Sequence, residues 1–289
     1  MNKLLMVAVC MTLSFFSCMD TSFEESSLSS REVHKEYFDG TIYEYLKEEN
    51  TNLKFDSLLY LLDMAEQENM TDVFGNALSL KKISDALKDE NAEYTLMAVP
   101  DTCFVLALQG LNDYRKLEKL KLTEEDLDSE ATDLEKNAIG NLSLKKIWNY
   151  QLVVSDEDAN GSSVETYYDY KSKLDEIVCM YVIPGVYDTD RLSTVTTVEG
   201  EFVQAINAYR MAFLYKRLPA SGFVNGGTKE LTFYDMCNTL EQSQWRMTKA
   251  LYTDVYAKNG VIHVVIPQHE FGFEKFVEYF GRLGHEKEQ

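Results

Sequence analysis

The sequence predicts an α+β domain, and three observations carry that prediction. Apolar residues recur at helical spacing through the first half of the chain. Runs of β-branched and aromatic residues gather after about Trp148. One run of the same strand type stands early, at 94–99. Helices and strands that segregate along a chain argue against a repeating βαβ array.

Taken in order, Ile42, Tyr45 and Leu46 place a helix from Thr41 onward. A second helix over 55–68 gathers Leu58, Leu59, Leu62, Met64 and Ala65 on its apolar side, and a third spans 78–87. The strand at 94–99 stops at Pro100. Asp101 then reads as the N-cap of a helix that starts near Thr102 and carries Phe104, Leu106 and Leu108. Residues 111–146 alternate charge with leucine, which predicts short solvated helices turning at Gly140. Strands follow at 150–154, 176–183, 192–198, 202–209 and 261–266, with Gly185, Gly200, Gly226-Gly227 and Asn259-Gly260 marking turns. In the tail, Phe271, Phe273, Phe276 and Phe280 suit a C-terminal helix docked on the core, or else an exposed aromatic face for a partner or a glycan ring.

The N-terminus reads as a targeting segment. Lys3 precedes an apolar run over 4–16, too short to span a membrane, which needs about 20 apolar residues. Ser17-Cys18 closes it. This junction resembles the lipobox of bacterial lipoproteins, although Phe15 and Phe16 stand where leucine and a small residue are usual. The resemblance implies lipidation of Cys18 and removal of residues 1–17. Residues 18–37, rich in serine and acid, then form a flexible leash. The expected location is a membrane, outer membrane or cell surface, reached through a lipid anchor of two acyl chains.

Charge narrows the partners. The chain carries a net charge of −20 and no basic stripe, so nucleic acid is not an expected partner. With 45% hydrophobic residues it has material for a sizeable core. Beyond Cys18 the cysteines are Cys103, Cys179 and Cys237, without the C-x-x-C spacing of a metal knot. The first two lie in apolar runs and read as buried, inert thiols, with one disulfide left open.

The most specific segment is 253–265. Asn259-Gly260 is a strong turn signal because both residues tolerate positive φ. It feeds a strand in which His263 alternates with apolar neighbours and reads as a satisfied core histidine. This segment, with Asp254, Asn259, Gly260 and His263, resembles the second signature of the fasciclin family. Three further stretches are similar and come in the same order. Residues 94–104, with Thr95, Ala98, Asp101 and Phe104, resemble the first signature with its proline displaced by one. Residues 180–186 resemble the family's Pro-Gly stretch through Pro184 and Gly185, with Met180 and Tyr181 replacing a Tyr-His pair. Residues 41–47 and 55–59 resemble the helical opening. The likeness covers 38–272, with an insertion around 111–170 and a C-terminal helix and tail over 273–289. It implies a bent β-sheet core packed against several helices, and a role in adhesion without catalysis.

The residues themselves show no catalytic pattern. His34, His263, His269 and His285 have no metal-ligand spacing, and no Gly-x-Ser-x-Gly or phosphate loop occurs. Asp156–Gly161 matches the first six positions of a calcium loop, but Ser163 and Tyr167 stand where an apolar residue and a bidentate Glu belong, so it reads as an acidic turn. No cofactor and no metal are expected. Three functions follow in order of preference. The first is a tethered module binding an extracellular glycan or protein, or an envelope partner. The second is an accessory subunit of an outer-membrane nutrient-uptake complex. The third is an extracellular hydrolase, which would need two carboxylates at a defined separation.

Overall fold

A computed structural model describes residues 35–48, 53–65, 82–120, 140–157, 163–219 and 227–285. Cys18, the targeting run and most of the leash lie outside these residues, as do the start of the predicted 78–87 helix and the tip of the acidic turn at 158–162.

The sheet is built around β2 (Tyr94–Ala98), five consecutive buried residues. It lies parallel to β10 (Gly260–Val265) and antiparallel to β5 (Val182–Pro184). A strand buried on both faces reads as a continuous apolar run, which is why it stood out in the sequence. Beyond β10 the order continues through β9 (Arg246–Ala257), β8 (Lys229–Asp235), β7 (Arg210–Arg217) and β6 (Glu201–Gln204). The short β1 (Glu36–Tyr37) pairs in parallel with β9. The bend sits in β9. Residues 246–249 pair with β8, 250–257 pair with β10, and the register slips near Ile262–Val265. Beyond β6, Ile206 N–H donates to Val182 O at 3.0 Å, so the sheet nearly closes on itself. A separate hairpin, β3 (Gln151–Glu157) with β4 (Ser163–Asp169), falls within the stretch expected to be an insertion.

Helices cover the sheet. α1 (Ile42–Leu46) opens on a capping box between Thr41 and Glu44. α2 (Asp56–Met64) and α3 (Ile83–Lys88) pack beside it. α4 (Asp101–Leu117), α5 (Leu144–Asn149), α6 (Tyr170–Cys179), α7 (Thr189–Leu192) and α8 (Lys275–Phe280) complete the set among the described residues. α8 packs on α4 and α6. The tail aromatics Phe271, Phe276 and Phe280 are fully buried, with Phe271 4.2 Å from Phe104 between ring centres, so they belong to the core and not to an exposed face. The α+β class stands: a bent, nearly closed mixed sheet under several helices.

Several elements differ from the sequence reading. Residues 176–179 end helix α6 and only 182–184 are strand. Leu174, Ile177 and Val178 share one buried helical face, and this periodicity outweighs their β-branched composition. Residues 192–198 form no strand. Asp188 caps α7, and the Thr194 and Thr197 hydroxyls bond to the backbone oxygens of Arg191 and Gly200, an alternative to a ladder. The 202–209 strand breaks after Gln204 at a turn with Ala208 at φ 61, and β7 follows. β1, β4, β7, β8 and β9 were not anticipated. Within 111–146, helix α4 runs unbroken to Leu117. Asp101 is the first residue of α4, not its cap. Its carboxylate accepts from Ser57 N–H at 2.8 Å and so caps α2, whose own first residues offer no side-chain cap.

Candidate functional site

Most of the motif residues meet in two buried clusters. In the first, Thr95 on β2 donates through Oγ1 to Gly185 O at 2.7 Å and accepts from Tyr187 N–H at 2.9 Å. Gly185, at φ 95, turns the chain out of β5 just after Pro184. Tyr187 O lies 2.9 Å from His263 Nε2, and Asp254 N–H donates to His263 Nδ1 at 3.2 Å. That pattern fixes a neutral imidazole protonated on Nε2, in keeping with burial, which lowers its pKa against the opposing pull of Asp254. Asp254, fully buried at φ 58, accepts from Thr189 N–H at 2.9 Å and from the Thr189 hydroxyl. The cluster rivets the loop from Gly185 to α7 onto β2, β9 and β10. It is sealed, and its geometry is that of a fastening.

The second cluster surrounds the β9–β10 turn. Asn259 Oδ1 accepts from Ile42 N–H at 2.8 Å, and its Nδ2 donates to Leu87 O and Asp89 O at 2.9 and 3.1 Å. One side chain therefore satisfies the open ends of α1 and α3. Gly260, at φ 144, lies so close to β2 that a Cβ would sit 1.8 Å from Tyr94 O. Ala98, opposite Val264, and Phe104 are plain core residues, and Asp101 stands apart from both clusters. Met180 and Tyr181 are fully buried. The Tyr181 hydroxyl accepts from Gly272 N–H at 2.8 Å and is hydrogen-bonded to His269 Nε2 at 2.7 Å. Burial pushes the His269 pKa down to about 3, so this ring is neutral too. Cys103 and Cys179 are buried free thiols, with Cys103 raised to about 12 by desolvation.

The accessible chemistry lies elsewhere, on the outer face of β6–β9. Phe202, Ala212, Tyr234 and Met247 stand directly opposite one another across the four strands, hence on one face. Phe202 and Met247 are 54% and 58% exposed, high values for apolar side chains. Trp245 lies against them, 6.1 Å from Phe202 and 5.7 Å from Tyr234 between ring centres, with Nε1 held by Thr239 O at 2.9 Å.

Beside this row a cleft of about 510 Å³ separates the first residues of β9 from the segment after β10. Trp245, Thr248, Lys249, His269, Glu270 and Phe273 are among its lining. Its charges are matched. Arg246 lies 3.6 Å from Glu274, and Lys249 lies 2.9 Å from Glu230. Burial and the neighbouring Glu274 raise the Glu270 pKa. The buried Thr248 hydroxyl makes no hydrogen bond among the described residues.

Sequence reasoning found Asn259, Gly260 and His263, whose turn and strand signals are local. It missed Thr189, Trp245 and Thr248. The alternation of Trp245, Met247 and Lys249 against Thr248 and Ala250 was the available signal. Among the described residues no three His, Cys, Asp or Glu side chains converge to hold a metal ion, and no helix is long and apolar enough to cross a membrane.

No family model and no curated protein matches the chain. Among solved structures, it is similar to a FAS1 domain pair from the insect cell adhesion molecule Fasciclin I, at 14% identity and a TM-score of 0.32. The similarity covers 65% of this chain and 40% of that chain, so this chain spans less than half of the relative's length.

Proposed function

We propose that this chain is a cell-envelope lipoprotein, anchored through Cys18, whose fasciclin-like module binds an extracellular glycan or protein and performs no catalysis. The observation that carries the reading is the apolar row of Phe202, Tyr234, Trp245 and Met247 on a solvent-facing sheet surface. Contiguous apolar surface costs solubility, and on a strongly acidic chain it marks a binding face. The lipobox-like Ser17-Cys18 and the polar leash support display on a membrane. The four ordered stretches of fasciclin type support the family reading, and the two fastenings that they build account for why those residues recur together.

The test has two arms. Cells producing the full chain incorporate labelled palmitate, and cells producing Cys18→Ser do not. The intact protein adheres to cell-surface polymer or recovers an envelope protein, and Phe202→Ser with Met247→Ser weakens that capture while the melting temperature holds. Equal capture by the doubly substituted protein contradicts the reading.

A further inference from the structure

We propose that Lys275 and Asp235 join in an isopeptide bond, an amide between Lys275 Nζ and Asp235 Cγ. The protein forms it unaided, with loss of one water, while the Tyr209 hydroxyl and Cys237 N–H polarise the carboxyl group. Three features of the pair lead there.

The first is burial. The Lys275 ammonium bonds directly to Asp235 Oδ2, and the two side chains are 6% and 0% exposed. Asp235 ends β8 opposite the fully buried Met211 of β7, and Lys275 opens α8 between the buried Phe273 and Phe276 in sequence. An ion pair enclosed this way is a poor source of stability, because both charges lose their hydration and well-packed apolar residues often do as well or better. An amide carries no charge and removes that cost. The enclosure also holds amine against carboxyl in one orientation, where effective molarities reach roughly 10⁵–10⁸ M, and it keeps out the water that reverses the condensation.

The second is the pair of donors on the other carboxylate oxygen. Asp235 Oδ1 accepts from the Tyr209 hydroxyl and from Cys237 N–H, both at 2.8 Å. Burial and the Asp235 carboxylate raise the Tyr209 pKa, so this hydroxyl keeps its proton and remains a donor. Two donors on one oxygen, with the amine at the other, is the arrangement that acyl transfer needs. One ammonium proton passes to Oδ2, leaving a neutral amine and a carboxylic acid. Nζ adds to Cγ, and negative charge gathers on Oδ1 between its two donors. A second proton then moves from Nζ to Oδ2, the Cγ–Oδ2 bond breaks, and water leaves. Nζ keeps its third proton as the amide N–H, and no oxidant or cofactor is consumed.

The third is the backbone. Ala208, Cys237, Asn238, Phe273 and Glu274 are five of the seven non-glycine residues with positive φ among the described residues, and each lies within three positions of Tyr209, Asp235 or Lys275. Such conformations are costly and cluster at reactive sites. Here they aim three separate segments of the chain at one point. The bond fixes the start of α8 to β8 and closes the chain between them, β9 and β10 included, into a covalent loop.

The experiment is peptide mapping of the full chain by mass spectrometry. Trypsin, blocked at the acylated Lys275, releases residues 230–246 joined to 259–282, one water lighter than the two together. Lys275→Arg keeps the cation and yields only linear peptides. Tyr209→Phe keeps the ring, and in freshly synthesised protein its cross-link accumulates roughly a hundredfold more slowly than the parent's. Separate linear peptides 230–246 and 259–275 from the parent overturn the proposal and leave an ordinary ion pair. Loss of water confined to one peptide, as a succinimide gives, overturns it equally. A cross-link that forms in Tyr209→Phe at the parent's rate overturns the role given to that hydroxyl. The deciding reading is made on the unaltered chain, so it stands whether or not a variant folds.

Discussion

Gly260 shows how narrowly one residue can be specified. It sits at φ 144, with Tyr94 O where a Cβ would be. Gly260→Ala combines backbone strain with a backbone clash, and the expected loss is at least about 2 kcal/mol, read from the urea midpoint. Its neighbour Asn259 acts through its side chain instead. Asn259→Ala leaves the Ile42 N–H and the Leu87 carbonyl buried without their partner, at a cost of roughly 2–4 kcal/mol, and Asn259→Asp, which keeps the acceptor but turns a carboxylate oxygen toward the Leu87 and Asp89 carbonyls, loses at least as much. If Asn259→Asp unfolds at the parent's urea concentration, the donor role assigned to Nδ2 is wrong. Both residues were legible in the sequence because a tight turn advertises itself in two adjacent letters. Thr189 was not, because its partner Asp254 stands 65 positions away and nothing local to either residue announces the bond.

Among elements, the C-terminal helix is fastened by buried cations at both ends: Lys275 in its first turn bonds to the Asp235 carboxylate on β8, and Arg115 holds its last turn. Arg115 on α4 donates to Gly281 O at 3.0 Å and Leu283 O at 2.7 Å, so it holds the end of α8 through backbone oxygens that a six-residue helix would otherwise leave open. Arg115→Met keeps the apolar stem and removes those bonds. Hydrogen exchange over 275–285 should then quicken well before the sheet amides do, and uniform quickening would show that α8 is no separate unit. Arg115 also marks a limit of sequence reading. An arginine in a stretch of alternating charge and leucine looks solvated, and only the arrival of the tail over α4 makes it a core residue. The same limit explains the lost strands. β7 and β8 carry Arg210, Lys216, Arg217, Lys229 and Glu230, which dilute their alternation, whereas β2 and β10 are uncharged and apolar but for Thr95 and His263, and were found within a residue of their ends. The outer face was hard to see for a related reason. Its four aligned residues come from four strands, and the register that joins them is a property of the sheet, not of any segment.

For the whole molecule, the buried histidines couple stability to acidity. His269 titrates near pH 3 when folded, against about 6.5 for an unperturbed imidazole, and His263 is lowered as well. Between those limits the unfolded chain binds protons that the folded chain refuses, so stability is complete above about pH 6.5 and declines as the pH falls toward 3. Urea midpoints should hold from pH 7.5 to about 6.5 and fall from there to pH 5, and His269→Gln should flatten that fall; a level midpoint down to pH 5 would contradict the burial of both rings. The class of fold was readable at this scale, since helical and strand signals separated along the chain, but the near closure of the sheet was not. The parallel pairing of β2 with β10 has a further effect, on the order of events as the protein is made. Residue 94 must wait for residue 260. A chain emerging from its N-terminus must deliver residues 95–259 before β2 can find its parallel neighbour. Such distant pairing slows folding.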